Sequence, residues 1–165
     1  MKKYCLSVLL LFSFSCLIQA QNYETGIGLR GGFASGITVK HFLTEKTAIE
    51  GIFSTRWGGF MITGLYEIEA PAFDTEGLSW YYGGGAHIGF WNSSNNGNPW
   101  WEDDHSGNYT VLGIDGIIGL SYTFAELPIN LSFDWKPMIN FVGYSGVWGD
   151  MAAISVRYTI KSKRY

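Results

Sequence analysis

Residues 129–141 read INLSFDWKPMINF, and their alternation decides the fold. Ile129, Leu131, Phe133 and Trp135 fall on one side of an extended chain. Asn130, Ser132, Asp134 and Lys136 fall on the other. Successive side chains of a strand point to opposite faces, so this stretch has one apolar wall and one polar, partly charged wall.

Seven more segments of the same kind lie between Tyr23 and Tyr165. In 23–33, Thr25, Ile27, Leu29 and Phe33 oppose Glu24, Gly28, Arg30 and Gly32. In 37–43, Ile37, Val39 and Leu43 oppose Thr38 and Lys40, with His41 at the end of the apolar face. In 48–57, Ile49, Gly51, Phe53 and Trp57 oppose Glu50, Ile52, Ser54 and Arg56. In 60–69, Phe60, Ile62, Tyr66 and Ile68 oppose Met61, Thr63, Leu65 and Glu67. In 79–91, Trp80, Tyr82, Ala86, Ile88 and Phe90 oppose Tyr81, Gly83, Gly85, His87 and Gly89. Residues 110–124 set Leu112, Ile114, Ile118, Leu120, Tyr122 and Phe124 against Gly113, Asp115, Gly119, Ser121 and Thr123. The last segment sets Ala152, Ile154, Val156, Tyr158 and Ile160 against Ser155, Arg157 and Thr159.

Eight strands separated by turn signals fit a barrel or a sandwich. Three features select an eight-stranded antiparallel up-and-down transmembrane β-barrel, all-β in class. The apolar face carries almost no charge. The opposite face is rich in Gly, Ser and Thr, and its charges nearly balance: Glu24, Glu50, Glu67, Asp115 and Asp134 against Arg30, Lys40, Arg56, Lys136 and Arg157. Charges removed from water are costly unless paired, so these suit a narrow lumen filled with ion pairs. Trp57, Trp80, Trp91, Tyr122 and Tyr158 fall near segment ends, where an aromatic girdle belongs. A backbone in lipid must pair every N–H and C=O, which requires a closed sheet. Eight strands enclose a space just wide enough for side chains to fill, so no open aqueous channel is expected. Pro137 removes a ladder donor and is expected near the outer rim.

Residues 1–20 stand apart. Lys2 and Lys3 precede an apolar run from Leu6 to Ile18, and small Ala20 marks a cleavage position. This is the layout of a cleaved signal peptide, leaving 21–165 as one barrel domain. Lipid attachment at Cys16 is disfavoured by the preceding Ser13-Phe14-Ser15. Cys5 and Cys16 are the only cysteines, so the mature chain has neither a disulfide nor a cysteine-based zinc site. Removing Lys2 and Lys3 from the eleven Lys and Arg leaves nine against fourteen Asp and Glu, so nucleic acid is not an expected partner. Charged residues make up 15% of the chain, where a soluble domain carries about 25%.

The leader, the eight amphipathic segments, GITVKHFL–TEK–TAIEGIFSTRW at 36–57, LSFDWKPMINF at 131–141 and the closing AAISVRYTI at 152–160 resemble the small eight-stranded outer-membrane barrels of Gram-negative bacteria, of the OmpX and OmpA-barrel kind. Connection lengths support a topology: with both termini periplasmic, those near 44–46, 70–78 and 125–128 are periplasmic turns, and those near 34–36, 58–59, 92–109 and 142–150 lie outside the cell, the longest among them. The resemblance implies outer-membrane lipid and lipopolysaccharide as surroundings. It also implies insertion by the barrel assembly machinery, which reads a terminal aromatic residue; here Ile160 ends the last segment and Tyr165 ends the chain.

Some barrels of that kind modify lipid A with a Ser, a His and an acid. The histidines do not make such a set here. His87 faces the lumen and is expected to pair with Asp115 or Asp134, and His41 lies at an interface. His105-Ser106 lies in the long loop, a poor platform for fixed geometry. No catalytic residue, cofactor or metal is expected. Arg30, Glu50, Arg56, Glu67, His87, Asp115, Asp134, Lys136 and Arg157 are expected to form a structural polar network in the lumen. Trp100, Trp101, Glu102, Asp103 and Asp104 are candidate surface contacts, for lipopolysaccharide or a partner protein. The expected function is a non-enzymatic outer-membrane barrel with a filled lumen. The rivals are a lipid-A-modifying barrel enzyme, a soluble lipocalin-type barrel with its apolar face inside, and a narrow pore.

Overall fold

The structure, a computed structural model, describes residues 23–56, 58–92, 108–143, 146–149 and 151–161. Among them there is no helix and there are ten strands: β1 (Thr25–Gly32), β2 (Ser35–Phe42), β3 (Thr47–Arg56), β4 (Gly59–Pro71), β5 (Leu78–Asn92), β6 (Asn108–Thr123), β7 (Ile129–Trp135), β8 (Met138–Val142), β9 (Gly146–Trp148) and β10 (Ala152–Ile160). They build eight staves, because β7 with β8 and β9 with β10 each form one interrupted stave. All pairings are antiparallel, and β1 bonds to β10 so that the sheet closes on itself. A closed sheet has no free edge, so its ladders are satisfied without water.

The register carries each apolar row around the barrel. Ile37 lies opposite Leu29, Leu29 opposite Val156, Val156 opposite Leu131 and Leu131 opposite Tyr122, and all five face outward. Flanking bonds from Glu24 N to Ile160 O and Phe33 N to Ala152 O, 3.1 and 3.4 Å, lengthen the short β1 ladder at both ends.

The seventh stave is not continuous as the sequence pattern implied. Trp135 lies opposite Ala152, whereas Met138 lies opposite Trp148, so two residues of one stave span three of the next. Pro137 sits in this bulge and not at the rim; β8 continues five residues past it. Pro137 lacks an N–H, and the ladder is interrupted on the facing stave at the same level. The flanking groups are still served: Lys136 N donates to Met151 O at 3.0 Å, and Pro137 O accepts from Gly116 N at 2.9 Å.

Two other boundaries differ from the reading of the sequence. β4 runs on through Glu69 to Pro71, which pairs with Ser79 at the end of the ladder. Trp91 belongs by alternation to the inner face and not to an outer girdle. It is half-buried, packs over Gly59 and Gly89, and donates its Nε1–H to Arg56 O at 3.2 Å. Trp80, Tyr122 and Tyr158 do face outward. Trp57 and the leader 1–20 lie outside the described residues.

Apolar clusters fill three levels of the lumen. Ala34, Met61, Met138, Trp148 and Met151 close one mouth. Ile52, Leu65, Tyr81 and Ile117 occupy the middle. Tyr23, Phe42 and Ala48 close the end near the chain termini, where Tyr23 and Phe42 meet edge-on at 5.2 Å. The charged side chains lie between these levels.

Candidate functional site

Charge is concentrated inside the barrel. Arg157, Lys40, Lys136, Glu50, Glu67 and Asp134 are among the largest fully buried side chains, while Leu29 is 70% exposed. Inward residues on alternate positions of every stave supply this interior, and they sort into two clusters.

The cluster nearer the bulge begins with Arg30 on β1 and Asp134 on β7. Arg30 Nη1 donates to Asp134 Oδ2 at 2.8 Å, Arg30 Nη2 donates to Oδ1, and Nη1 also reaches Ser155 Oγ at 3.3 Å. This is the bidentate fork that suits guanidinium to carboxylate. Tyr81, on β5, donates its hydroxyl hydrogen to Asp134 Oδ2 at 2.9 Å. Beside it, Asp115 on β6 is gripped from both sides, by Lys136 Nζ at Oδ1 and by His87 Nδ1 at Oδ2, the latter at 2.8 Å. His87 Nε2 lies 2.9 Å from the Asn140 amide oxygen, so both ring nitrogens are taken.

The cluster nearer the termini is built around Arg157 on β10. Its Nη2 donates to Glu50 Oε1 at 2.5 Å, and its Nη1 to Ser132 Oγ at 2.7 Å and Asn130 Oδ1 at 3.3 Å. Thr38 donates to the same Glu50 oxygen. Lys40 on β2 donates to Glu69 Oε2 at 2.7 Å, stands 2.8 Å from Glu67 Oε2, and lies 4.2 Å from the Tyr81 ring centroid. Ser79 donates to the other Glu69 oxygen. Tyr81 therefore joins the clusters, its ring on Lys40 and its hydroxyl on Asp134.

Two glycines make room for this packing. A Cβ at Gly119 would lie 2.7 Å from Tyr81 Cζ and 2.7 Å from Asp134 Cβ, and one at Gly113 would lie 2.9 Å from His87 Nε2. Contacts that close have no place in a packed interior.

Of the residues singled out from sequence, Arg30, Glu50, Glu67, His87, Asp115, Asp134, Lys136 and Arg157 lie in these clusters. Arg56 does not. It stands half-buried at the mouth, with Nη1 3.0 Å from Met151 Sδ and its guanidinium 5.9 Å from the Phe33 ring and 5.5 Å from that of Trp148. Trp100, Trp101, Glu102, Asp103, Asp104 and His105 lie outside the described residues. The network also contains Glu69, Tyr81, Asn130 and Asn140, which the sequence reading left out of it. Glu69 ends the 60–69 segment and shares its alternation with Glu67, so carrying the inner face to the last residue of that segment includes it.

Among the described residues, no hydroxyl bonds His87, and His41 Nδ1 is engaged with Thr25 Oγ1 at 2.9 Å. Among the described residues, no group of three or more His, Cys, Asp or Glu could hold a metal ion.

No family model matches the chain, and no curated protein matches it. Among solved structures, the fold is similar to the N-terminal β-barrel domain of OprF from Pseudomonas aeruginosa, with a TM-score of 0.60 and 17% identity over 81% of this chain and 93% of that one. The fold is thus that of the small eight-stranded outer-membrane barrels.

Proposed function

We propose that this chain is an integral outer-membrane barrel without enzymatic activity, whose lumen is a paired plug and whose role is structural or one of surface contact. The observation that carries this reading is the inverted partition of side chains. All eight staves turn Ile, Leu, Val, Phe, Tyr or Trp outward, while Arg157, Lys40, Glu50, Glu67, Asp134 and Lys136 are buried inside. A barrel dissolved in water would do the reverse, since unpaired apolar area in water and buried charge are both unfavourable. In a bilayer the same arrangement sets an apolar wall against hydrocarbon and keeps paired charges away from it.

The termini lie on the periplasmic side in this reading, and residues 1–20 direct export and are removed. Insertion falls to the barrel assembly machinery, lipid and lipopolysaccharide surround the wall, and contacts with other proteins fall to loop 92–109 through Trp100, Trp101, Glu102, Asp103 and Asp104. The full engagement of His87 with Asp115 and Asn140 supports a role in packing over one in lipid-A chemistry.

The test is gel mobility of the protein expressed with its leader in a Gram-negative host. The protein is expected in the membrane fraction, to need detergent for extraction, and to migrate differently before and after boiling. Release without detergent, with no heat shift, would defeat the proposal.

A further inference from the structure

The charges of the cluster nearer the termini do not balance. Lys40 and Arg157 face three carboxyls, Glu50, Glu67 and Glu69, and none of the five residues is more than 4% exposed. Arg157 is matched to Glu50 and Lys40 to Glu69 by hydrogen bonds. Glu67 is the surplus. Lys40 Nζ stands 2.8 Å from its Oε2 but outside a hydrogen-bonding direction, so neither Glu67 oxygen accepts a bond. Glu50 Oε1 is served by both Arg157 and Thr38, whereas its Oε2 accepts nothing.

The two under-served carboxyls are neighbours. Glu50 lies opposite Leu65 and Glu67 opposite Ala48, so they form a diagonal pair on the inner face of β3 and β4. Glu50 Oε2 and both Glu67 oxygens are buried without a hydrogen-bond partner on these neighbouring inward positions. Two ionised carboxylates are acceptors only and cannot bond to one another; one proton between them makes the bond. Like charges held together away from water repel strongly, which favours keeping that proton.

We propose that Glu50 and Glu67 share one proton, so that this cluster holds two cations, two carboxylates and one carboxylic acid. The proton resides on Glu67 and is donated to Glu50 Oε2. Lys40 and Thr38 face the pair from β2, Glu69 from β4, Ser79 and Tyr81 from β5, and Arg157 from β10, with Tyr23 below. Arg157 is steadied in turn by Asn130 and Ser132 of β7. The shared proton makes the interior electrically neutral without an ion from outside.

The test uses the full barrel folded in detergent at neutral pH. Infrared spectra in H2O and D2O are expected to show the C=O stretch of a protonated carboxyl in the wild type, shifted in D2O and absent from Glu67→Gln. That variant is expected to unfold at the wild-type urea concentration, because glutamine reproduces the neutral acid. Glu50→Gln and Glu69→Gln, which strip a cation of its partner, are expected to unfold at lower urea. If Glu67→Gln does not fold, Glu67→Asp moves the same carbonyl band. No protonated-carboxyl band, together with a Glu67→Gln variant that unfolds earlier, overturns the proposal. Stability that depends on sodium over choline chloride, without the band, also overturns it and assigns the missing charge to an alkali cation.

Discussion

Tyr81 donates its hydroxyl hydrogen to Asp134 Oδ2 at 2.9 Å, from β5 to β7, with β6 between them. The bond passes over Gly119 of β6, which lies opposite both residues in the register, so it ties non-adjacent staves in a way the ladders cannot. Asp134 holds this donor and Arg30 at once, and the Tyr81 ring covers Lys40. Removing the hydroxyl alone isolates this bond. Tyr81→Phe is expected to lower stability by about 1.5–3 kcal/mol, the range for a hydrogen bond to a charged group. Urea titration of the unboiled, fast-migrating species reads the loss, and an unchanged midpoint would show that the bond does not stabilise the barrel.

Gly119 should matter through Tyr81. Its missing side chain is the space in which the phenol lies, 2.7 Å from where a Cβ would stand. Gly119→Ala is expected to cost about 1–3 kcal/mol by overpacking. In a Tyr81→Ala background the same substitution should cost less, by more than about 0.5 kcal/mol, because the two positions share one space. Strict additivity in the double-mutant cycle would separate them.

These relationships mark how far the sequence could be read. The inner face of each stave was legible, because alternation needs only one strand at a time. Which inward charges meet was not. Arg30 and Asp134 are 104 residues apart, and Arg157 and Glu50 are 107 apart, so their meeting depends on the stagger of the closed sheet. Period-two patterns do not encode that stagger. Pro137 announced an interruption in its own stave, but the facing break between Trp148 and Ala152 carries no such mark. Trp91 was misread because an aromatic residue at a strand end fits an outer girdle as well as an inner mouth. The alternation that puts His87 and Gly89 inside carries on to Trp91, and its packing over Gly59 and Gly89 agrees.

The Arg30–Asp134 pair should be costly to break and inexpensive to replace. Both side chains are buried, so Arg30→Met leaves a carboxylate and Asp134→Leu leaves a guanidinium without its partner. Each single substitution is expected to lose about 3–5 kcal/mol. The double substitution should lose much less than the sum, since no uncompensated charge remains. A full cycle in urea measures the coupling, and a double variant as unstable as the sum would mean that each charge is held by other partners.

Substitution on the wall tests where the apolar face lies. Val156 is at the centre of β10, faces outward, and lies between Leu29 and Leu131 on the neighbouring staves. In a bilayer, arginine at this depth is expected to cost about 2–4 kcal/mol, and arginine at a stave end much less. Ile160→Arg at the end of β10 provides that comparison. Refolding both variants into lipid vesicles and titrating with urea gives the two losses. Val156→Arg should be the more severe by a clear margin. Equal and small losses at both positions would mean that this face meets water, and the barrel would then have to be read as a soluble one.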